Sequence, residues 1–484
     1  TVGLFALSIV GMGVKVEKQF FPSSDRPELM VDIYLPEGSS EKATARLTHQ
    51  VEAYVKQQPE VKTMTSYIGQ GAPRFFLALN PELPDPAFAK IIIVTQDAEA
   101  RQQLKARMEA YLAQGHFDAA RVRVHALLYG PPVIWPVTFR VMGDNIDTLR
   151  QIGEQVRKVM QQNPHIQTPH LEWGNKTPMV QLQYDDDRLA LLGLSPQTVS
   201  QQLQYALRGN PQAVVRENTR SIEVTSFSLA QNAQLLDRLK NLAIETASGQ
   251  KVPLQQVASL KVGFEDPVLK RRNRIPYINI NAEVSGAQPP DVTMAIWKQL
   301  QPLVAKLPEG YRIEIGGSVE ESGRAQASIQ KLMPVMVLLM ITLIMLNMQS
   351  FLGTFMVLLT APLGLIGAVA AMLLFSQPFG FVANLGLIGL AGILMRNTLI
   401  LVGQIDENQR QGMSPETALI DATLRRSRPV LLTALAAILA FIPLTTNTFW
   451  GPLAFVLIGG IGVGTLLTLL FIPALYALWY RVKA

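Results

Sequence analysis

The last third of this 484-residue chain is dominated by apolar runs, and no other feature of the sequence restricts the fold as strongly. A helix needs about 20 apolar residues to cross roughly 30 Å of hydrocarbon. Five runs meet or approach that length, at residues 332–346, 351–375, 382–405, 429–444 and 452–480. The first and fourth are short, so we expect their helices to extend into flanking polar residues. The sequence therefore predicts five membrane-spanning helices.

The basic residues between these runs predict the orientation of the chain in the membrane. They concentrate in the connection 406–428 and in the C-terminal tail, as Arg410, Arg425, Arg426, Arg428, Arg481 and Lys483. The connections 376–381 and 445–451 carry no Lys or Arg. By the positive-inside rule, the basic segments face the cytoplasm, which puts residues 15–331 on the outer side. We interpret the apolar residues 1–14 as the end of a further membrane helix whose start is absent.

Residues 15–331 have the composition of a soluble protein, and strand and helix patterns alternate along them. Strand–helix–strand units, such as 30–35, 41–56 and 62–68, are typical of ferredoxin-like split βαβ folds. A strand is also expected at 75–79. Segment 185–265 differs, with a helix capped by Ser195 and then short strands, and it is interpreted as an inserted subdomain. The predicted fold class is a membrane α-helical bundle of about six transmembrane helices plus a large α+β domain.

Composition excludes several classes of protein. The chain has no cysteine, which excludes disulfides and thiolate metal sites. Its net charge of +6 is modest, and no basic run with interleaved aromatics is present, so no nucleic-acid partner is expected. We find no phosphate-binding loop and no nucleophile–base pair, so neither an enzyme nor a cofactor is predicted. No metal-ligand spacing is found among the five histidines, His49, His116, His125, His165 and His170.

One charged residue lies deep inside a predicted span. Arg396 follows about fourteen residues of the run 382–405. An ionisable residue within the membrane is costly and usually paired, so it is a functional candidate by default. The alternative is a structural counter-ion in a packed bundle. Its neighbour Asn397 can share a hydrogen-bond network with it, whereas a lone threonine such as Thr433 usually bonds its own backbone.

Several stretches of the sequence together resemble the C-terminal half of permeases of the resistance–nodulation–division (RND) superfamily. They are PLGLIGA (362–368), GLAGILMRNTLILV (389–402), RSRPVLLTALAAILAFIPL (426–444), GGIGVGTLLTLLFIPALY (459–476), LGLSPQTVSQQLQYALRGN (192–210) and VPLQQVA (252–258). The resemblance implies a homotrimeric inner-membrane pump driven by the proton gradient. It also implies an N-terminal half not present here, a periplasmic adaptor and an outer-membrane channel as partners, besides the surrounding lipids. The implied periplasmic parts are a porter subdomain at 15–133, a second one at 134–184 and 266–331, and a docking subdomain at 185–265.

The resemblance further implies which residues form the proton relay. The family pattern has a Lys in the tenth helix and a Thr in the eleventh, and the matching positions are Arg396 and Thr433. Arginine stays charged, so Arg396 cannot itself release a proton. We therefore expect it, with Asn397, to act as a fixed counter-charge to carboxylates of the absent half.

The resemblance also implies an aromatic drug pocket beside a glycine-bearing loop. The candidate lining residues are Tyr67, Phe75, Phe76, Trp135 and Phe139. For each of them the alternative is ordinary core packing, because half the residues of an alternating strand face the core. The expected function is proton-driven, multidrug-type efflux of hydrophobic or amphipathic compounds. The alternatives are an exporter of lipids or metal ions on the same scaffold, and a membrane receptor or assembly factor that does not transport.

Overall fold

The structure is a computed structural model that describes the chain except for residues 20, 23, 80, 131, 227–238, 267 and 481–484. Arg481 and Lys483, which contributed to the predicted orientation, lie outside the described residues. The chain divides into two compact units. The first comprises Thr1–Gly174 and Val268–Ala484, and the second comprises Asn175–Pro267.

The first unit begins with a short apolar helix, α1 (Val2–Val14), and continues into an antiparallel sheet covered by two helices. The elements of this sheet layer are β1 (Glu28–Tyr34), α2 (Glu41–Val55), β2 (Val61–Ile68), β3 (Phe88–Thr95), α3 (Ala98–Ala113) and β4 (Arg121–Ala126). The strand order is β2-β3-β1-β4. Ser40 and Asp97 cap α2 and α3 by accepting hydrogen bonds from backbone N–H groups of the first turn, which otherwise lack partners.

The two faces of this first sheet differ in chemistry because side chains alternate along each strand. Every second residue of the central strand β1 packs under α2 and α3, as Leu29, Val31 and Ile33 do. Burial of each such side chain contributes about 1.5–3 kcal/mol. The intervening residues of β1, Met30 and Asp32, point to the opposite face. We call that opposite side, which the two helices do not cover, the open face of the first sheet.

A second sheet begins in this unit with β5 (Val137–Met142), α4 (Ile146–Gln161) and β6 (Ile166–Leu171), and the chain then enters the second unit. Among its described residues, the second unit contains three antiparallel strand pairs and two α-helices. Its elements are β7 (Thr177–Tyr184), α5 (Asp186–Leu191), α6 (Pro196–Arg208), β8 (Asn210–Glu217), β9 (Arg220–Ser226), β10 (Ala243–Glu245), β11 (Lys251–Pro253) and β12 (Ala258–Glu265). The side chain of Ser195 accepts a hydrogen bond from the Thr198 backbone, 3.1 Å away, so the predicted cap of α6 is confirmed.

The chain returns to the first unit to complete the second sheet. The completing elements are β13 (Lys270–Arg272), β14 (Ile275–Val284), α7 (Pro289–Val304) and β15 (Arg312–Ile315). The strand order is β13-β14-β5-β15, and β6 also pairs with β14. Helices α4 and α7 pack on one face of this sheet, over a core that contains Phe139.

Within the described residues, five segments are long and apolar enough to cross a membrane, as the sequence predicts. They are α8 (Gly317–Met348), α9 (Phe351–Leu358) together with α10 (Leu363–Leu374), α11 (Phe381–Arg410), α12 (Pro415–Phe441) and α13 (Gly451–Trp479). Helices α8 and α12 extend well beyond the short runs at 332–346 and 429–444, into polar residues. The second span is not one continuous helix, because a turn at 359–362 separates α9 from α10. Pro362 explains the break, since proline lacks the N–H that an unbroken helix needs.

The strand expected at residues 75–79 is wrong. This segment lies in an irregular loop, where the backbone of Leu79 bonds to the carbonyl of Phe76 at 3.1 Å in a turn. Phe76 and Leu79 instead pack on Met30, on the open face of the first sheet. Phe75 and Leu77 of the same segment are exposed, and no strand among the described residues pairs with it.

Candidate functional site

A cavity of about 270 Å³ lies against the open face of the first sheet. Its wall combines residues of β1, β3 and β4 with the segment 132–136 and with residues 283–289, where β14 ends. Ionisable side chains line it: Asp32, Glu82, Lys90, Lys105, Arg123, His125 and Glu283. Apolar side chains, among them Met30, Leu79 and Leu127, line the rest. The cavity therefore offers a charged wall beside an apolar one.

Asp32 is the centre of the charged wall. It lies on the central strand, directly opposite Lys90 of β3 on one side and Arg123 of β4 on the other. Asp32 Oδ1 is 3.1 Å from Lys90 Nζ, and Asp32 Oδ2 is 2.9 Å from His125 Nε2 and 3.8 Å from a terminal nitrogen of Arg123. Lys90 Nζ also lies 2.7 Å from Glu82 Oε1. Asp32 and Lys90 are each only 1% exposed, so one buried carboxylate contacts three basic side chains.

This arrangement shifts the protonation of both Asp32 and His125. Burial alone would raise the pKa of Asp32, but the neighbouring His125, Lys90 and Arg123 outweigh it and hold that pKa well below its usual range. Burial, reinforced by Arg123, lowers the pKa of His125. Near neutral pH, Asp32 is therefore ionised and His125 is neutral, which leaves Nε2 of His125 to donate to the carboxylate.

Arg123 connects the two sheets of the first unit. Its Nε donates to Glu283 of β14, and its guanidinium lies 4.3 Å from the ring centroid of Trp135. Its side chain is 8% exposed, so the contact with Glu283 is largely screened from water. Arg121, on the same strand, lies over the rings of Tyr34 and Trp135. The side of the cavity between the sheets is thus closed by arginine–aromatic and arginine–carboxylate contacts.

The five aromatic residues predicted to bind substrate are not gathered in one place. Tyr67 and Phe76 pack together in the apolar cluster on the open face of the first sheet, whereas Phe75 is 42% exposed. Trp135 is buried beside Arg123, and His170 lies edge-on to its ring. Phe139 is fully buried in the core of the second sheet, stacked on Trp297, because its position on β5 points toward the helices. None of the five is among the described residues that line the cavity.

The predicted relay residues lie in the membrane helices. Arg396 is exposed on α11, and it makes no hydrogen bond or ion pair within the described part of the chain. Asn397 beside it is only 4% exposed, and its side chain likewise has no hydrogen-bond partner among the described residues. Thr433 on α12 donates to the carbonyl of Val430 at 2.9 Å, the local bond expected of an isolated threonine. The chain itself does not bring Thr433 into hydrogen-bond contact with Arg396.

Two buried threonines of the bundle, which were not among the predicted site residues, bond to each other. The hydroxyl of Thr398 on α11 donates to that of Thr360 at 3.1 Å, and Thr360 in turn donates to the carbonyl of Val357 at 2.6 Å. Thr360 and Thr398 are completely buried. This pair ties the turn between α9 and α10 to α11, two residues from Arg396.

The charged wall was missed because its residues were treated as ordinary strand positions. The signal was present: the apolar strand MVDIYL contains one acid, Asp32, and the apolar strand AKIIIV contains one base, Lys90. A charge within an apolar strand is rarely buried unless it is paired. In the part of the chain that the structure describes, no three His, Cys, Asp or Glu side chains are arranged to hold a metal ion.

Comparison with known proteins identifies the class of molecule. The sequence profile of the AcrB/AcrD/AcrF family matches residues 1–480. The chain belongs to the AcrB/AcrD/AcrF family. This membership confirms the predicted relation to RND permeases. Proteins of the AcrB/AcrD/AcrF family are secondary transporters rather than enzymes, and they are multi-pass proteins of the bacterial inner membrane.

Individual relatives agree with this membership in the AcrB/AcrD/AcrF family. The chain is 27% identical to the nickel and cobalt resistance protein CnrA of Cupriavidus metallidurans, covering 95% of this chain and 44% of CnrA. It is 27% identical to the nickel-cobalt-cadmium resistance protein NccA of Alcaligenes xylosoxydans xylosoxydans, covering 99% of this chain and 46% of NccA. A crystal structure of a heavy metal efflux pump superposes with a TM-score of 0.78 at 21% identity, over 99% of this chain and 50% of that one. The chain thus spans about half the length of the curated relatives it matches.

Proposed function

We propose that this chain forms the C-terminal half of a proton-driven RND exporter and that divalent metal cations are its substrates. The observation that carries the choice of substrate is the charged wall of the cavity, where Asp32, Glu82 and Glu283 supply carboxylates and His125 supplies a neutral imidazole. Carboxylate oxygen and imidazole nitrogen are common ligands of zinc, cobalt and nickel. The names of CnrA and NccA support the same choice, since both are resistance proteins for such metals.

Amphipathic compounds, the substrates first expected from the sequence, are the second candidate. The observation in their favour is the apolar wall of the same cavity, formed in part by Met30, Leu79 and Leu127 and backed by Tyr67 and Phe76. Three observations weigh against amphipathic substrates. The other wall of the cavity is charged, the five predicted aromatic residues do not form one pocket, and the relatives CnrA and NccA are named as metal-resistance proteins. A membrane receptor that does not transport is the remaining alternative, and the experiment below separates it as well.

We further propose that the two sheets of the first unit are ferredoxin-like porter subdomains, at 15–133 and at 134–184 with 266–331. The strand order β2-β3-β1-β4, with α2 and α3 on one face, supports this assignment for the first. The segment 185–265 is proposed as the docking subdomain, and α1 as part of a sixth membrane helix. In this proposal the exporter is a homotrimer that works with a periplasmic adaptor and an outer-membrane channel.

The proposed proton relay is built around Arg396, with Asn397 and Thr433 as supporting residues. Arg396 is a permanently charged group with no partner among the described residues, and an arginine within a membrane span needs an acidic or polar partner. We propose that carboxylates from the other half of the exporter supply it. Their protonation removes the attraction to the guanidinium, and the resulting helix shift is transmitted to the sheets that line the cavity.

Transport by the intact exporter that contains this chain tests the proposal. The exporter is reconstituted into vesicles, a pH gradient is imposed, and movement of Co²⁺ and Zn²⁺ is compared with movement of an amphipathic cationic dye. We expect metal movement that collapses with the gradient, and a loss of at least tenfold in Glu82→Gln. Asp144→Asn, at an exposed residue, is the matched control and should transport normally. Dye movement without metal movement would establish the amphipathic alternative, and movement of neither would favour the receptor.

A further inference from the structure

The ammonium group of Lys90 already sits between two carboxylates at the cavity wall. Its Nζ lies 3.1 Å from Asp32 Oδ1 and 2.7 Å from Glu82 Oε1, and the side chain is 1% exposed. A lysine is almost never buried to this degree unless it is paired. Here it has two acidic partners, and it reaches them across the surface that lines the cavity.

The two carboxylates are not fully satisfied by this single ammonium. Asp32 Oδ1 and Glu82 Oε2 are buried, and neither accepts a hydrogen bond with good geometry from the described residues. Arg123 approaches the other oxygen of Asp32 only to 3.8 Å and donates its closest hydrogen bond to Glu283. The buried carboxylate of Asp32 and the partly buried carboxylate of Glu82 therefore share the ammonium of Lys90, with His125 bonded to the other oxygen of Asp32.

We infer that the ammonium of Lys90 is an internal cation that holds the place of the substrate cation, so that Lys90 determines when the cavity accepts a metal ion. This inference rests on the proposed function and extends it to one residue. With Lys90 in place, Asp32, Glu82 and His125 are not arranged as a metal site. With Lys90 withdrawn, the same three groups present two oxygens and one nitrogen, a donor set that suits zinc, cobalt or nickel.

The chemistry of the side chain makes such an exchange feasible. Lysine carries a compact charge on a flexible four-carbon stem, so the ammonium can swing away while the backbone of β3 stays paired. The cavity of about 270 Å³ gives it a place to move into. A divalent ion then neutralises both carboxylates, which one ammonium cannot do. An exchange of cations thus never leaves the buried Asp32 and the neighbouring Glu82 without a counter-charge.

Direct binding to the intact exporter in detergent tests the role of Lys90. Co²⁺ and Mg²⁺ are titrated by calorimetry, and thermal unfolding is followed with and without each metal. Lys90→Met should bind Co²⁺ at least tenfold more tightly than wild type, and Co²⁺ should raise its unfolding temperature by more than it raises that of wild type. Mg²⁺ should do neither. The triple variant Asp32→Asn/Glu82→Gln/Lys90→Met, which buries no unpaired charge there, should lose the effect of Co²⁺.

Lys90→Arg provides the opposite test and keeps a positive charge for folding. Its guanidinium is broader and bonds two carboxylate oxygens at once, so it should be harder to displace and should weaken Co²⁺ binding at least tenfold. Co²⁺ binding that is unchanged or weaker in Lys90→Met, or unchanged in Lys90→Arg, overturns the inference. Such a result leaves the proposed function standing if wild-type vesicles export Co²⁺. If Lys90→Met binds Co²⁺ more tightly but wild-type vesicles export no metal, the proposed function is overturned. The inference that Lys90 controls cation binding at Asp32 and Glu82 then still stands.

Discussion

Lys90 and Asp32 face each other directly across the β1–β3 pair, and both are almost completely buried. Taking two charges out of water is costly, and their attraction repays that cost only when the geometry is good and the remaining polar atoms are satisfied. In this sheet the pair also contacts His125 and Glu82, so the four side chains form one network. The network has to be treated as a unit, since removing one member changes the environment of all the others.

The coupling between Asp32 and Lys90 can be measured with a double-mutant cycle. Asp32→Asn and Lys90→Met should each destabilise the protein by about 3–5 kcal/mol, because each leaves a buried charge with one charged partner fewer. The double variant should cost less than the sum of the two, with a coupling above about 1 kcal/mol. Thermal unfolding of the purified protein gives the comparison, with Asp144→Asn as a control that changes stability little. Additive effects of the two substitutions would contradict a direct interaction.

The contact between Arg123 and Glu283 should stabilise the packing of the two sheets. Glu283→Ala removes the carboxylate that accepts the hydrogen bond of Arg123 and leaves this largely buried guanidinium with Asp32, at 3.8 Å, as its remaining acidic neighbour, which should cost about 1–3 kcal/mol. The exposed Glu309→Ala is the matched control, and its unfolding temperature should stay near that of wild type. Limited proteolysis would show whether the loss lies at this interface. Equal unfolding temperatures for the two variants would mean that the ion pair contributes nothing measurable.

Arg396 should be needed for transport and not for folding. Arg396→Ala should abolish efflux by the intact exporter, while expression and unfolding temperature stay unchanged, because the guanidinium has no partner among the described residues. Arg396→Lys keeps the positive charge and should retain a measurable fraction of the activity. Arg410→Ala, at the exposed end of the same helix, serves as the control. Full efflux by Arg396→Ala would refute the proposed relay.

A close approach of two membrane helices depends on two glycines. A Cβ atom on Gly367 of α10 would lie 2.1 Å from the carbonyl oxygen of Gly459 on α13, and a Cβ atom on Gly459 would lie 2.4 Å from that of Gly367. Both clashes are with backbone, so the helices must separate. Gly367→Ala should destabilise the protein by about 1–3 kcal/mol, measured by thermal unfolding. Gly462→Ala on α13 is the control, because its Cβ atom would meet only Ile438, at 3.6 Å, and the substitution should be tolerated. Equal losses of stability in Gly367→Ala and Gly462→Ala would contradict this packing.

The stability of the protein should fall as the pH drops from about 6.5 to about 4. Burial, together with the nearby Arg121, lowers the pKa of His170 to about 4, whereas an unfolded histidine has a pKa near 6.5. The unfolded state therefore binds more protons in this window, so acidification favours unfolding. His170→Asn should reduce the difference in unfolding temperature between pH 7 and pH 5, whereas the exposed His116→Asn should leave it unchanged. If the difference in unfolding temperature between pH 7 and pH 5 is as large in His170→Asn as in wild type, His170 is not a source of the pH dependence.

The sequence predicted the positions of helices and strands well because most of them carry their own local signals. The runs that became α11 and α13, and the capped start of α6 at Ser195, depend on nearby residues alone. The strand expected at 75–79 failed because pairing requires a partner strand that no local pattern reveals. The charged wall of the cavity depends on the register that sets Asp32 opposite Lys90 and Arg123, and register is a long-range property. Arg396 could be singled out by its position in a span, but its partner could not.

The alternation of side chains along β1 makes this strand intolerant of any change in its length. A deletion or insertion of one residue within it would turn Val31 or Ile33 away from the helix α2. It would also point the Asp32 carboxylate into the apolar core between the sheet and its helices. Homologous transporters that handle other cargo are therefore expected to differ by replacement at every second position of β1, keeping the spacing intact. A library for altering substrate choice should accordingly vary residues 30, 32 and 34 and leave residues 29, 31 and 33 untouched.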